Sequence, residues 1–144
     1  MNPLTSFSCR RVLSVTIWVV SSLGLILLLP KSVCAEVSWV KYYRTKGGEF
    51  FYNPVSIQKS SDHERVNVFI LSNYDFPTSL GEKSVLVRQR VDCKRGRYKI
   101  LAFKSFSKFN AKGKMLISNG LSKGWMYIVP RTPDSILQRI VCSG

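Results

Sequence analysis

The clearest hydrophobic pattern in the chain is an alternation that begins at Ser84 and continues almost to Phe106. In its first half, one side carries Val85, Val87, Gln89, Val91 and Cys93, and the other side carries Leu86, Arg88, Arg90 and Asp92. A period of two is typical of a half-buried β-strand. The second half, 97–106, alternates in the same way after a short turn at 94–96. The pattern therefore predicts a β-hairpin of strands 84–93 and 97–106.

Five further stretches have the composition of strands. They are 37–44, 49–52, 65–73, 115–118 and 125–129. The stretch 65–73 is apolar on both sides, which is typical of a central strand. The glycines at 47 and 48 predict a hairpin between the first two stretches, and Asn119 with Gly120 predicts another between the last two.

The end of the chain has the pattern of a single helix. Thr132 is a capping hydroxyl, Pro133 suits the first helical position, and Asp134 is an acid in the first turn. An apolar stripe then follows at helical spacing, made of Ile136, Leu137, Ile140 and Val141. We expect this stripe to pack on the sheet.

Residues 1–35 have the three parts of a secretory signal. The paired arginines Arg10 and Arg11 precede an apolar stretch, 12–29, and small residues flank Cys34 at a cut site after Ala35. Alternatives are an uncleaved membrane anchor, a lipoprotein acylated on Cys34, and twin-arginine export. The box around Cys34 departs from the lipoprotein pattern. We therefore predict an exported domain, 36–144, that is periplasmic or secreted, with display at the cell surface left open.

Two cysteines remain in the exported part, Cys93 and Cys142. An even pair in an oxidising compartment predicts a disulfide, which here closes a loop of about 50 residues and stabilises the fold by about 4 kcal/mol. Such a bond would attach the helix to the end of the strand 84–93. The predicted fold class is α+β.

The chain is strongly basic, with 22 Lys and Arg, 8 Asp and Glu, and a net charge of +14. Removal of the leader with its three bases leaves an excess of 11 positive charges, which favours acidic partners. Cations concentrate at the turn end of the central hairpin, where the candidate anion-binding residues are Arg88, Arg90, Lys94, Arg95, Arg97 and Lys99. Because like charges across a ladder destabilise it, the cluster suggests an anionic partner. A solvated face is the alternative.

The sequence shows no catalytic or cofactor motif. The eight acids are scattered, His63 lies alone in a polar loop, and no cysteine pair has metal-ligand spacing. The prediction is therefore a protein without enzymatic activity, cofactor or metal. Export argues against a nucleic-acid partner. The aromatic residues of the first hairpin fit core and edge packing better than a sugar or peptide site.

The chain also resembles the surface-adhesin protein E family of bacterial exported proteins. The matching residues are Trp39, Phe51-Tyr52-Asn53, Ile57, the stretch 65–74, Ser84, Asp92-Cys93, Arg97, Gly113-Lys114, Trp125, Pro130 and Val141-Cys142. The resemblance implies a single antiparallel sheet of about six strands flanked by one C-terminal helix, with a disulfide between Cys93 and Cys142. The family's founding member is a surface lipoprotein that binds matrix and serum proteins such as vitronectin, laminin and plasminogen.

The chain departs from this family in two respects. It lacks a convincing lipid-attachment box, and Asn53 stands where the family commonly has Asp. No ligand-binding position can be transferred. The expected function is a binding or adhesion module for host matrix proteins or other acidic partners. The alternative is a structural envelope protein that binds an envelope component, or itself, through an exposed sheet edge.

Overall fold

The computed structural model describes residues 38–120 and 122–143. These residues form eight strands and one helix: β1 (Val40–Thr45), β2 (Gly48–Tyr52), β3 (Gln58–Lys59), β4 (Arg65–Tyr74), β5 (Ser84–Asp92), β6 (Arg97–Lys108), β7 (Lys112–Asn119), β8 (Met126–Tyr127) and α1 (Pro133–Cys142). A short 3-10 helix, Pro54–Ser56, lies between β2 and β3. The predicted leader and its cut site lie outside the described residues.

All strand pairs are antiparallel and belong to one sheet. Its main path runs in the order β1-β2-β4-β5-β6-β7, while β3 pairs with β4 and β8 pairs with β6. The predicted central hairpin is present as β5 and β6. The stretch predicted to be central is β4, which has neighbours on both sides along its length. The predicted fold, an antiparallel sheet of about six strands with a C-terminal helix, is confirmed, with two additional short strands.

The helix α1 begins where the sequence predicts. Thr132 caps it: the backbone N–H of Ser135 donates to Thr132 Oγ1 at 3.4 Å, and Ser135 Oγ accepts from the Thr132 N–H at 3.2 Å. This reciprocal pair satisfies two backbone donors that helix geometry leaves free. Leu137 and Val141 are buried and pack against the β4 residues Val66, Val68 and Ile70 and the β5 residue Val91. One face of the sheet is therefore the core-facing side.

A disulfide joins Cys93 to Cys142, with the two Cα atoms 5.8 Å apart. Cys93 directly follows β5, and Cys142 is the last residue of α1. The bond therefore attaches the end of the helix to the end of a central strand, as the sequence predicts.

One predicted pairing is wrong. The sequence predicts a hairpin between 115–118 and 125–129, but β7 pairs with β6 through a turn that contains Asn110 and Ala111, both at positive φ. β6 has 12 residues, and β7 occupies only the part of its edge from Phe103 onward. The remaining part, at Arg97 and Tyr98, pairs with β8. Residues 107–114 are mostly polar and basic, so their composition does not show that a tight turn joins two paired strands there.

Candidate functional site

The two faces of the central sheet differ in what covers them. On the helix side, the Gln89 amide donates to Asp134 Oδ1 at 3.1 Å, and Val91 packs against α1. Tyr98 packs against the same core cluster, and its burial together with the nearby Asp134 carboxylate raises its pKa. Because side chains alternate along a strand, Arg88, Arg90 and their neighbours in register lie on the opposite side. We call this side the outer face.

The strand register arranges the outer face in three rows. The first row is Arg65, Asp92, Arg97 and Tyr127; the second is Gln58, Asn67, Arg90 and Lys99; the third is Phe69, Arg88 and Ala102. Successive rows are two residues apart along β4 and β5, or about 6.7 Å, and neighbouring strands are about 4.8 Å apart. A register shift makes Lys99 and Ala102 three residues apart along β6. The rows contain five cationic side chains and one carboxylate.

The Asp92 carboxylate neutralises one of these cations. Its Oδ2 accepts from Arg97 Nε at 3.1 Å and its Oδ1 from the Arg95 backbone N–H at 3.1 Å, while its side chain is only 3% exposed. Burial alone raises the pKa of Asp92, but the two hydrogen bonds and the charges of Arg97 and Arg95 outweigh it and lower the pKa. Asp92 is therefore an ionised structural residue that holds Arg97.

Trp125 holds two cations of the outer face. The guanidinium carbon of Arg97 lies 4.5 Å from the indole ring centroid, and Lys99 Nζ lies 5.0 Å from it. Both distances are typical of a cation–π contact. Arg90 is held in a different way, because its Nε donates to Asn67 Oδ1 at 2.8 Å. Three of the five cations are thus fixed by neighbours, and of these only Arg97 contacts an acid among the described residues.

The six candidate residues named from the sequence fall into two groups. Arg88, Arg90, Arg97 and Lys99 lie together on the outer face. Lys94 and Arg95 lie in the turn between β5 and β6, where both side chains are exposed. Lys94 Nζ bonds Glu64 Oε1 at 2.6 Å, and this hydrogen bond with its ion pair raises the Lys94 pKa. Because Lys94 is already paired with Glu64, the turn offers an anionic partner less unpaired positive charge than the sequence suggests.

Arg65, Trp125 and Tyr127 were missed in the sequence as members of this surface. Arg65 and Tyr127 enter the first row only through strand pairing, because they lie 27 and 30 positions from their row neighbours Asp92 and Arg97. Tyr127 is 79% exposed, so its ring is largely available to a partner. The signal for Arg65 was present: a hairpin that pairs Asn73 with Ser84 also places Arg65 opposite Asp92.

The aromatic residues of the first hairpin lie outside the three rows and pack against one another. Tyr42 makes edge contacts with Phe50 and Tyr52, with ring centroids 6.5 and 6.0 Å apart, and it packs on the core. Burial, with a smaller contribution from Asp134, raises the pKa of Tyr42. His63 is exposed and lies in a turn at positive φ. No group of three or more potential metal ligands occurs within 38–120 and 122–143.

An open groove of about 560 Å³ lies on the helix side of the sheet. Its lining is Tyr43, Ile128, Pro130, Arg131, Ser135, Ile136, Gln138 and Arg139. These residues include no carboxylate, histidine or cysteine, so the lining lacks the acid–base pair that most hydrolytic chemistry needs. The described part of the chain also contains no helix with the length and apolar character that a membrane crossing requires.

Comparisons with known proteins agree with this architecture. The family described as surface-adhesin protein E matches residues 39–143. No curated protein matches the chain. Among solved structures, protein E of Haemophilus influenzae is similar, with a TM-score of 0.58 at 13% identity over 73% of this chain and 83% of that chain.

A second structure, of protein E from non-typeable Haemophilus influenzae, has a TM-score of 0.56 at 14% identity and covers 81% of this chain and 82% of that chain. Crystal form II of the Haemophilus influenzae protein gives a TM-score of 0.53 at 14% identity, over 71% of this chain and 91% of that chain. At such low identity these structures support the fold, and the sequence match over 39–143 supports the family.

Proposed function

Because the chain belongs to the surface-adhesin protein E family, we propose that it is an exported, non-enzymatic adhesion module that binds an acidic macromolecule on its outer face. In this proposal residues 1–35 are the export signal and 36–144 the binding domain. The family supplies the adhesive role. The position and chemistry of the binding surface are argued from this chain's own residues.

The observation that carries the proposal is the imbalance of charge between the two faces. The helix covers one face, while the opposite face has five cationic side chains around a single carboxylate. Like charges across a ladder cost stability, and only Asp92 offsets that cost among the described residues of the rows. A partner with several negative groups would supply the missing counter-charges and bind through charge-assisted hydrogen bonds.

The proposal is tested with a triple variant, Arg65→Gln, Arg88→Gln and Lys99→Gln, which leaves Arg97 in place because Asp92 would otherwise lose its partner. The exported protein should bind immobilised basement-membrane extract, and the variant should bind at least about tenfold more weakly with a flatter dependence on salt. The matched control is Lys112→Gln, Lys114→Gln and Lys108→Gln, which removes the same charge around the β6–β7 turn. Equal binding by both variants and the parent would reject the outer face as the binding surface.

A second candidate function has one observation in its favour. β7 is an edge strand, its first four residues are exposed, and Met115 is 51% exposed. Such an edge offers backbone groups to another strand, which fits a structural envelope protein. The substitution Leu116→Pro should abolish association by this route and leave binding to matrix intact. Pull-downs from envelope extract and from matrix extract, made in parallel, separate the two candidates.

A further inference from the structure

The outer face contains more than positive charge, and its composition indicates a class of partner. Its second row continues from the cations Lys99 and Arg90 into the amides of Asn67 and Gln58. Its first row ends at the exposed ring of Tyr127, and Trp125 lies beside it. Cations, amides and an exposed aromatic ring therefore occur together on one side of the sheet.

We propose, on the basis of the proposed function, that this surface binds a linear sulfated polysaccharide laid across β4, β5, β6 and β8. Sulfate groups accept hydrogen bonds from guanidinium and ammonium groups as phosphates do. Hydroxyl groups of the sugar pair with amides such as Asn67 and Gln58. The apolar C–H face of a sugar ring packs on an exposed aromatic ring, which here is Tyr127.

The arrangement of the cations favours a polymer over a single small anion. Cationic side chains recur about 4.8 Å apart across strands and about 6.7 Å apart along them. The cations of this surface are spread over three rows and do not converge on one point. A chain that carries several sulfates engages successive rows together, and each added contact raises the effective concentration for the next.

Three cations of the outer face are held in position by neighbouring side chains before a ligand binds. Asp92 and Trp125 hold Arg97, Trp125 holds Lys99, and Asn67 holds Arg90. A side chain that is already fixed loses less conformational entropy when a ligand binds. Asp92 and Trp125 are therefore positioning residues, and the cations make the direct contacts with sulfate. Asn67 does both, because its Oδ1 holds Arg90 while its amide N–H groups stay available to a sugar hydroxyl.

The surface fits an anionic membrane less well. Binding at a membrane interface requires apolar side chains that enter the acyl boundary, together with the cations. In the three rows the apolar members are Phe69, which is half-buried, and Ala102, which is buried. Of the three most exposed large hydrophobic side chains, Val55, Tyr127 and Phe76, only Tyr127 belongs to these rows, and its ring carries a polar hydroxyl group.

The test measures binding of the exported protein to heparin oligosaccharides of two, four and eight sugars by calorimetry. Affinity should rise with length until the three rows are spanned, and fully desulfated heparin should bind about tenfold more weakly or worse. Arg88→Gln with Lys99→Gln should weaken binding about tenfold and flatten the salt dependence. Lys112→Gln with Lys114→Gln should leave binding to the longer oligosaccharides nearly unchanged.

Tyr127→Ala gives a second, independent readout. The ring is exposed, so its removal should not unfold the protein, and it should weaken binding a few-fold while the salt dependence stays that of the parent. Thermal unfolding of each variant controls for loss of fold. If Tyr127→Ala binds like the parent, or if desulfated heparin binds as tightly as heparin, the sulfated polysaccharide assignment is wrong.

A final set of binding measurements distinguishes a failure of the polysaccharide proposal from a failure of the proposed adhesive function. Matrix extract treated with heparinase, vesicles of phosphatidylglycerol, and a single-stranded oligonucleotide are offered to the same proteins. Loss of binding after heparinase supports the sulfated polysaccharide. If the triple outer-face variant loses matrix binding while neither heparinase nor chondroitinase treatment of the extract has an effect, the adhesive role stands and the polysaccharide assignment is overturned. Tighter binding to vesicles or to the oligonucleotide than to heparin overturns it as well.

Discussion

At the residue scale, Asp92 links the stability of the fold to the geometry of the outer face. It is a buried carboxylate among arginines, and it fixes both the β5–β6 turn through the Arg95 N–H and the guanidinium of Arg97. Without this charge, Arg97 would face Arg90, Lys99 and Arg65 with no acid in the rows. Asp92 therefore offsets part of the repulsion among the cations of the outer face.

We predict that Asp92→Asn lowers the free energy of unfolding at pH 7 by about 2 kcal/mol, the size of a lost charge-assisted hydrogen bond at a buried site. The Asp92 pKa is lowered in the folded protein, so its contribution is full above the ordinary carboxyl pKa of about 4 and declines as pH falls through the lower folded value. Urea unfolding at pH 7 and at pH 3 measures both effects.

The matched control is Asp75→Asn, which breaks an ion pair with Arg44 in which both side chains are more exposed, at 30% and 53%. Its effect should stay below about 1 kcal/mol. The difference between the parent and Asp92→Asn should also narrow toward pH 3. An equal loss of stability in the two variants would contradict the structural role assigned to Asp92.

At the scale of single elements, β2 approaches β4 closely at one glycine. A Cβ on Gly48 would lie 2.3 Å from the backbone oxygen of Asn73, which pairs in the neighbouring strand. Gly47, its neighbour in the same turn, has only the Thr45 hydroxyl at 4.0 Å. The two glycines therefore differ in role. The absence of a Cβ at Gly48 lets β2 lie close to β4, whereas a Cβ at Gly47 would contact no backbone atom.

We predict that Gly48→Ala destabilises the protein by about 1–3 kcal/mol, because the added methyl group forces β2 away from the β4 backbone. Gly47→Ala is the control and should change stability by less than about 0.5 kcal/mol. Urea unfolding midpoints of the two variants give the comparison. Hydrogen exchange should show faster exchange of β2 amides in Gly48→Ala alone, and similar exchange in both variants would refute the close approach.

The elements that the sequence predicts well are those set by local pattern. The β5–β6 hairpin follows from alternation around a short turn, and the α1 start follows from Thr132, Pro133 and Asp134 within three positions. The pairing of β7 was not predictable in this way, because it depends on how much of the β6 edge is free. The same holds for the outer face: Arg65 and Tyr127 join it through pairs distant in sequence.

At the scale of the whole molecule, the disulfide is the one covalent cross-link, apart from the backbone, between α1 and the sheet within the described residues. It closes a loop between positions 49 residues apart, and it connects the helix that completes the core to the strand that supports the outer face. The core contains few large buried side chains, with Leu71 and Leu137 the largest. A modest core of this kind gains a large share of its stability from a cross-link.

We predict that the double variant Cys93→Ser and Cys142→Ser loses about 4 kcal/mol of unfolding free energy, the chain-entropy value for a loop of this length. Amides of α1 should lose protection from hydrogen exchange before those of β4 and β5, because the helix then depends on packing alone. Denaturant unfolding and exchange of the parent with and without reductant supply the measurement. A reduced parent that unfolds at the same denaturant concentration as the oxidised one would contradict this role.

The position of the cross-link at the last helical turn also affects when the polypeptide can fold. Cys142 leaves the ribosome 49 residues after Cys93, and a reducing compartment keeps both thiols free. Under the export that we propose, a nascent copy would lack the bond before it crosses the membrane and would be less stable there than the oxidised protein. Oxidation on the far side of the membrane would then make folding effectively one-way, so that transport and maturation occur in a fixed order.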